Sequence, residues 1–303
     1  MTSLTVLHVT GWCRSGSTLL GNVLNEIDGI VHVGELHYLW RNGVLRAGSN
    51  TSCGCRRELV ACPLWSAVLA TEVGERGSLR SLAPEIVRWQ DARFRTRHTW
   101  RLLRSPGDDG ATRGYLAVMA ATYRAIQAAT GARLIVDSSK FASEAAALLH
   151  LEGIRPLALH MVRDPRAVAW SWHRQKAYIG RRGALDSTWY WVGFNLAAEA
   201  VGRALPGASL LLRYEDFTAD PEGSVRSVLE LAGEPPERSP VRGRHVTLGG
   251  NHTVTGNPDR FLSGSVEVRG EDDAWRSRLP RRAAAAATAL ALPWLRRYGY
   301  PVT

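Results

Sequence analysis

The segment that most constrains the fold is Gly11-Trp12-Cys13-Arg14-Ser15-Gly16-Ser17-Thr18, which follows the apolar run 4–10 and leads into Leu19-Leu20. A buried strand, a turn of small residues and a helix start, in that order, gather unpaired backbone N–H groups at one point. The helix dipole adds partial positive charge there, so the turn is built to hold an anion. Ser17 and Thr18 add hydroxyl donors. The spacing is that of a P-loop, with Ser17 standing where the lysine belongs. A kinase or NTPase lacking that lysine has no such cation on its β- and γ-phosphates. Here Arg14, three residues upstream, carries the charge instead. The loop reads as a phosphate cradle unsuited to ATP hydrolysis; a bare glycine turn with a solvent-facing arginine is the plainer reading.

Four further apolar or β-branched runs read as buried strands: 30–33, 133–137, 157–162 and 209–214. Helical patterns fall between them at 17–26, 115–129, 142–149, 165–175 and 188–205. That alternation predicts an α/β fold with a mostly parallel central sheet and helices on both faces. Ligands in such sheets sit beyond the carboxyl ends of the strands. Residues 41–131 interrupt the rhythm with an Arg-rich stretch, expected to be a largely helical insertion, around 59–73 and 79–104, within a single 1–303 domain. It would serve as an acceptor-side wall or lid.

The net charge is +10. That admits nucleic acid, an anionic membrane surface or a polyanionic small molecule as partner. The basic residues are dispersed rather than blocked, which argues against a nucleic-acid tail. The N-terminus has no signal-peptide pattern and the longest apolar run, 283–292, is too short to span a bilayer, so a cytoplasmic location is expected. Cys53, Cys55 and Cys62 lie close together, and could bind zinc with a histidine or form one disulfide. With no second Cys pair at metal spacing, inert thiols are the expectation and no metal site is assigned.

A second anion site is expected where the strand 157–162 ends in Arg163-Asp164-Pro165-Arg166, with Pro165 suited to a first helical turn and Ser171 about two turns on. With these residues in view, the chain resembles the sulfotransferase family. Cys13 through Leu20 is similar to its 5'-phosphosulfate loop, and Arg163 through Ser171 to its 3'-phosphate motif. Leu212-Arg213-Tyr214-Glu215-Asp216-Phe217 resembles its Arg-Tyr-Glu-Asp-Leu strand end. Gly256-Asn257-Pro258-Asp259-Arg260-Phe261, with Trp275, resembles a C-terminal segment of bacterial members, and the end Arg297-Tyr298-Gly299-Tyr300 also fits.

The resemblance implies a P-loop-like, nucleotide-kinase-related fold that binds 3'-phosphoadenosine-5'-phosphosulfate (PAPS) without metal and releases the bisphosphate PAP. Arg14, Ser15, Gly16, Ser17 and Thr18 would hold the 5'-phosphosulfate, and Arg163 and Ser171 the 3'-phosphate. Tyr214 would lie against the nucleotide, and Arg260 would close over it. Tyrosylprotein members use a Glu after a Gly at nearly this distance from the loop as base, which points to Glu35, directly after the second strand; otherwise Glu35 only favours a helix start. His37 is the fallback base. Lys140, just past the strand 133–137, would neutralise leaving-group charge with Arg14, unless Ser138 or Ser139 merely caps a helix beside an exposed lysine. Trp170, Trp172, Trp189 and Trp191 could wall a pocket for a small-molecule, glycan or metabolite hydroxyl, or simply pack. The alternatives are a P-loop-type kinase and a non-catalytic nucleotide- or nucleic-acid-binding protein.

Overall fold

The computed structural model describes residues 4–73, 79–174, 180–270 and 274–302. The first part of the chain forms β1 (Leu4–Thr10), α1 (Ser17–Leu24) and β2 (Ile30–Gly34). Four helices follow: α2 (Pro63–Val73), α3 (Leu79–Arg93), α4 (Thr99–Arg104) and α5 (Gly110–Thr130). Next come β3 (Leu134–Lys140), α6 (Ala142–Leu148), β4 (Ile154–Val162), α7 (Pro165–His173), α8 (Ala184–Ala204) and β5 (Ser209–Arg213). The remainder holds α9 (Tyr214–Ala219), α10 (Pro221–Ala232), β6 (His245–Leu248), β7 (Gly264–Glu267), α11 (Ala274–Arg278) and α12 (Arg281–Arg297). The helix expected over 165–175 ends at His173, and Gln175 lies outside the described residues.

β1 to β5 form one sheet in the order β2-β3-β1-β4-β5, and every pairing within it is parallel. All residues of β1 and β3 are buried, as required of strands covered on both faces. Alternate side chains serve opposite layers. Val6 and Ile135 pack with Trp65, Val68, Ile86 and Phe94 from the helical 59–104 stretch. Leu7 and Val136 pack with Leu20 and Val23 of α1 and with Val225 and Val228 of α10. β6 and β7 form a separate antiparallel ribbon.

α1 lies close on β2. A Cβ on Gly21 would come within 2.4 Å of the His32 ring, so only glycine permits that approach. His32 is buried between Asn22 (Nδ1···Oδ1 3.2 Å) and Ser138 (Nε2···Oγ 3.0 Å). Burial, and then the nearby Lys140 charge, lower its pKa to about 3. It is therefore a neutral linker between the phosphate-loop helix and the end of β3.

Candidate active site

The loop after β1 takes a strained path. Gly11 (φ 110°), Arg14 (φ 77°) and Gly16 (φ 82°) all occupy the left-handed side of conformational space, which a non-glycine residue such as Arg14 enters at a cost. Gly16 is the N-cap of α1; no side chain caps that end, and no acid lies in its first turn. The helix's positive end is thus presented to whatever occupies the loop. Ser15 turns inward and donates to Trp12 O at 3.0 Å, so its hydroxyl supports the loop. Ser17 and Thr18 line a cavity of about 300 Å³ together with Arg14, Gly16, Glu35 and Lys140.

Glu35 and Lys140 reach that cavity from neighbouring strands. Lys140 is nearly buried, and its Nζ donates to Glu35 Oε1 at 2.6 Å and to Ser138 O at 2.8 Å. The Glu35 side chain keeps 17% of its surface exposed. Burial works against the Lys140 charge, but Glu35 outweighs it and the lysine's pKa is raised. Lys140 has φ 74°, and its register with β1 shifts at this point. The irregularity is fixed from beneath: Asp137 Oδ1 accepts from Ser139 N at 2.9 Å, and Oδ2 accepts from Tyr123 at 2.7 Å. Burial would raise the Asp137 pKa, yet His8, whose Nδ1 lies 3.6 Å away, and hydrogen bonds from Ser139 and Tyr123 hold it at about 2.

Arg163 and Tyr214 adjoin the loop from its other side, outside the cavity lining. Arg163, at the end of β4, donates through Nη1 to Arg14 O at 3.0 Å, and its guanidinium stacks 4.2 Å from the Tyr214 ring centroid. That ring also limits the loop, since a Cβ on Gly16 would lie 2.6 Å from Tyr214 Cδ2. β1 and β4 are paired neighbours, so the two basic groups sit at adjacent strand tips. Asp164 caps α7 by accepting from Arg166 N at 2.8 Å, and Arg166 is buried against Asp164 and Pro301 O. Within this motif Arg166 is therefore committed to structural contacts, while Arg163 is directed at the loop after β1. Ser171 is buried on the second turn of α7.

Two expectations meet a different arrangement. Arg260 is 1% exposed and lies outside the cavity lining. It donates to Ser52 O at 2.8 Å and Thr253 O at 3.2 Å, and also to Asn50 Oδ1. Burial lowers its pKa to about 10. It ties together the loops around the cavity. His37, the fallback base, is also buried away from the cavity, with Nδ1 2.7 Å from Glu144 Oε1 and its ring stacked 4.0 Å from Phe141.

Several contributors gave no sequence signal. Tyr38, Asn42, Asn50 and Thr255 line the cavity from segments without a recognisable motif. Burial, then Glu35, raises the Tyr38 pKa, which keeps the phenol neutral. Trp172 and Trp191 are buried, and Trp12 stacks on Trp172 (5.8 Å) and Tyr190 (5.2 Å) beside the loop. Trp189 is exposed. Cys53, Cys55 and Cys62 converge with His252, a partner the local spacing did not indicate.

A parallel sheet in this order, with a lysine-free glycine turn leading from its central strand into α1, defines a P-loop-like α/β protein. The family model described as "Sulfotransferase family" matches residues 7–238. The chain belongs to the sulfotransferase family and is a transferase of that class. Among solved structures it is similar to the sulfotransferase domain of the Synechococcus PCC 7002 olefin synthase: TM-score 0.54, 19% identity, 97% of this chain and 95% of that one. It is also similar to the sulfotransferase domain from the curacin biosynthetic pathway: TM-score 0.56, 18% identity, 99% of both chains. At such identities these likenesses speak to the fold. No curated protein matches the chain. No helix among the described residues is long and apolar enough to cross a membrane.

Proposed function

We propose that the chain transfers a sulfuryl group from PAPS to the hydroxyl of a small acceptor, with Glu35 as general base. The observation that carries this reading is the placement of Arg163 against the loop through Arg14 O at 3.0 Å. Two anion-binding elements then face one nucleotide from adjacent strand tips. The uncapped start of α1 and the positive φ of Gly16 suit a 5'-phosphosulfate. Arg163 offers its planar fork to a 3'-phosphate, beside a Tyr214 ring on which a nucleotide can rest. A kinase reading lacks the loop lysine for β- and γ-phosphates.

Bound PAPS supplies an activated sulfuryl group whose S–O bond to the 5'-phosphate breaks as the acceptor oxygen attacks in line. The protein's part is positioning and charge. Glu35 Oε takes the acceptor's proton, while Arg14 and Lys140 face the oxygen on which negative charge builds. In the structure Lys140 holds Glu35 at 2.6 Å, so the lysine must share its charge with the donor for the carboxylate to act as a base. Residues 41–131 supply Asn42 and Asn50 to the cavity and are the proposed acceptor side. The acceptor would be a small molecule, glycan or metabolite, in a cytoplasmic setting.

The test is thermal stability with added ligand. Adenosine 3',5'-bisphosphate should raise Tm equally with and without magnesium, and labelled PAPS should pass its label to an acceptor in a hydroxyl-compound screen. Stabilisation by ATP that depends on magnesium, with none by the bisphosphate, would overturn the reading.

A further inference from the structure

Outside the cavity, four ligating side chains meet at one point. The sulfur atoms of Cys53, Cys55 and Cys62 and one ring nitrogen of His252 all lie within 4.8 Å of one another. Cys53 Sγ is 3.5 Å from Cys62 Sγ, and His252 Nδ1 is 3.1 Å from Cys62 Sγ and 3.8 Å from Cys53 Sγ. Tetrahedral zinc, with bonds of about 2.3 Å to sulfur and 2.0–2.1 Å to nitrogen, spaces its donor atoms by roughly 3.5–3.8 Å. Three thiols and one imidazole form a closed Cys3His set, the composition of structural rather than catalytic zinc.

The backbone is shaped to present these donors. Residues 53–57 make a tight turn, with Arg56 N donating to Cys53 O and Cys53 N to Arg57 O, both at 2.9 Å. Gly54 N donates to Thr253 O at 2.9 Å. A Cβ at Gly54 would fall 1.9 Å from Asn251 Oδ1, so the Cys-Gly-Cys step can lie flat on the 251–253 segment only with glycine in its middle. From the other side, Trp65 Nε1 donates to His252 O at 2.7 Å. His252 stands 190 residues from Cys62, which is why local spacing did not reveal the fourth ligand.

We propose that Cys53, Cys55, Cys62 and His252 bind one structural Zn2+ that clamps the 53–62 turn to the 251–254 segment. The clamp bears on the active site. Val254 N donates to Val33 O and Glu35 N to Val254 O, each at 2.8 Å, so the tethered segment continues the edge of β2 and fixes the backbone of Glu35. The same two loops carry the carbonyls of Ser52 and Thr253 that hold Arg260. The metal takes no part in the transfer chemistry; it holds the wall on which Glu35 is mounted.

The experiment uses the full chain purified under reductant without a metal-affinity step, with metal content read by mass spectrometry. About one zinc per chain is expected. Replacement by Co2+ should give the intense absorption of a tetrahedral cobalt–thiolate site, and all four cysteines should titrate as thiols after chelation and unfolding. Cys55→Ser and His252→Asn should each weaken Co2+ binding by more than about tenfold, and a chelator should lower the Tm of the wild type more than that of either variant. Zinc no higher than in the buffer with no cobalt–thiolate absorption, or two thiols missing as a disulfide, would overturn the proposal. Should the variants fold poorly, the wild-type metal and thiol counts decide alone. Neither needs donor or acceptor, so the zinc site and the transfer reaction fail separately.

Discussion

Replacing Glu35 by Gln probes the proposed chemistry with little change in shape. The amide oxygen can still accept from Lys140 Nζ, which lies 2.6 Å from Oε1, so the cavity wall should keep its form. What disappears is a carboxylate able to take a proton. A positioned base is worth about 10²–10⁴ in rate, or roughly 3–5 kcal/mol of barrier. Lys140 also loses its counter-charge. Removing one partner of a buried pair costs up to about 3–5 kcal/mol; the retained hydrogen bond and the open cavity beside the pair place the loss below that. The Lys140 pKa is raised by Glu35 against burial. The pair's contribution is therefore complete below the unfolded lysine value of about 10.4 and is lost as pH rises through the higher folded value. In the variant Glu35 no longer offsets burial, and that contribution disappears.

Single-turnover transfer from labelled PAPS, with bisphosphate affinity measured by calorimetry, separates these effects. Transfer should fall by about 10²–10⁴. Bisphosphate binding should stay the same or tighten, because a negative charge has left the cavity. Transfer within a few-fold of wild type would refute the assignment of Glu35.

Gly16→Ala should cost roughly 1–2 kcal/mol in backbone strain alone, since Gly16 has φ 82°. The added methyl meets the Tyr214 ring, so chemical denaturation should show lower stability and calorimetry weaker bisphosphate binding. Asp137→Asn tests the support under Lys140. With a folded pKa of about 2 against about 3.9 unfolded, the carboxylate contributes roughly 2–3 kcal/mol above pH ~4. The wild type's advantage in urea unfolding should persist at neutral pH and shrink as pH falls toward 2.

The parallel sheet was legible because its strands are continuous apolar runs separated by helical patterns, and their carboxyl ends located Arg14, Glu35, Lys140 and Arg163 together. The α10 helix carries plain local signals, with Asp220 accepting from Gly223 N, Pro221 at the first turn and Gly233 left-handed at the end, but it lies beyond the strand rhythm. The 79–104 stretch is divided by a 3₁₀ turn at Thr96–His98 that helical periodicity does not register. Arg260 sat in a motif-like segment, yet its role follows from carbonyls of residues 52 and 253, which only tertiary packing brings to it. His37 was drawn from the active site by Glu144 and Gln90, both remote in sequence.

The central claim is that Arg163 grips the 3'-phosphate of a nucleotide whose 5' end lies in the Arg14 loop. Arg163 also supports Arg14 O, so calorimetry with adenosine 3',5'-bisphosphate and with 5'-AMP, on wild type and Arg163→Ala, separates the 3'-phosphate contact from any loss through the loop, which both nucleotides share. The wild type should prefer the bisphosphate by about 1.5–3 kcal/mol, a charge-assisted hydrogen-bond increment, and the variant should lose that preference, with any loss for 5'-AMP the smaller of the two. An undiminished preference in Arg163→Ala, or equal losses for both nucleotides, would contradict the account.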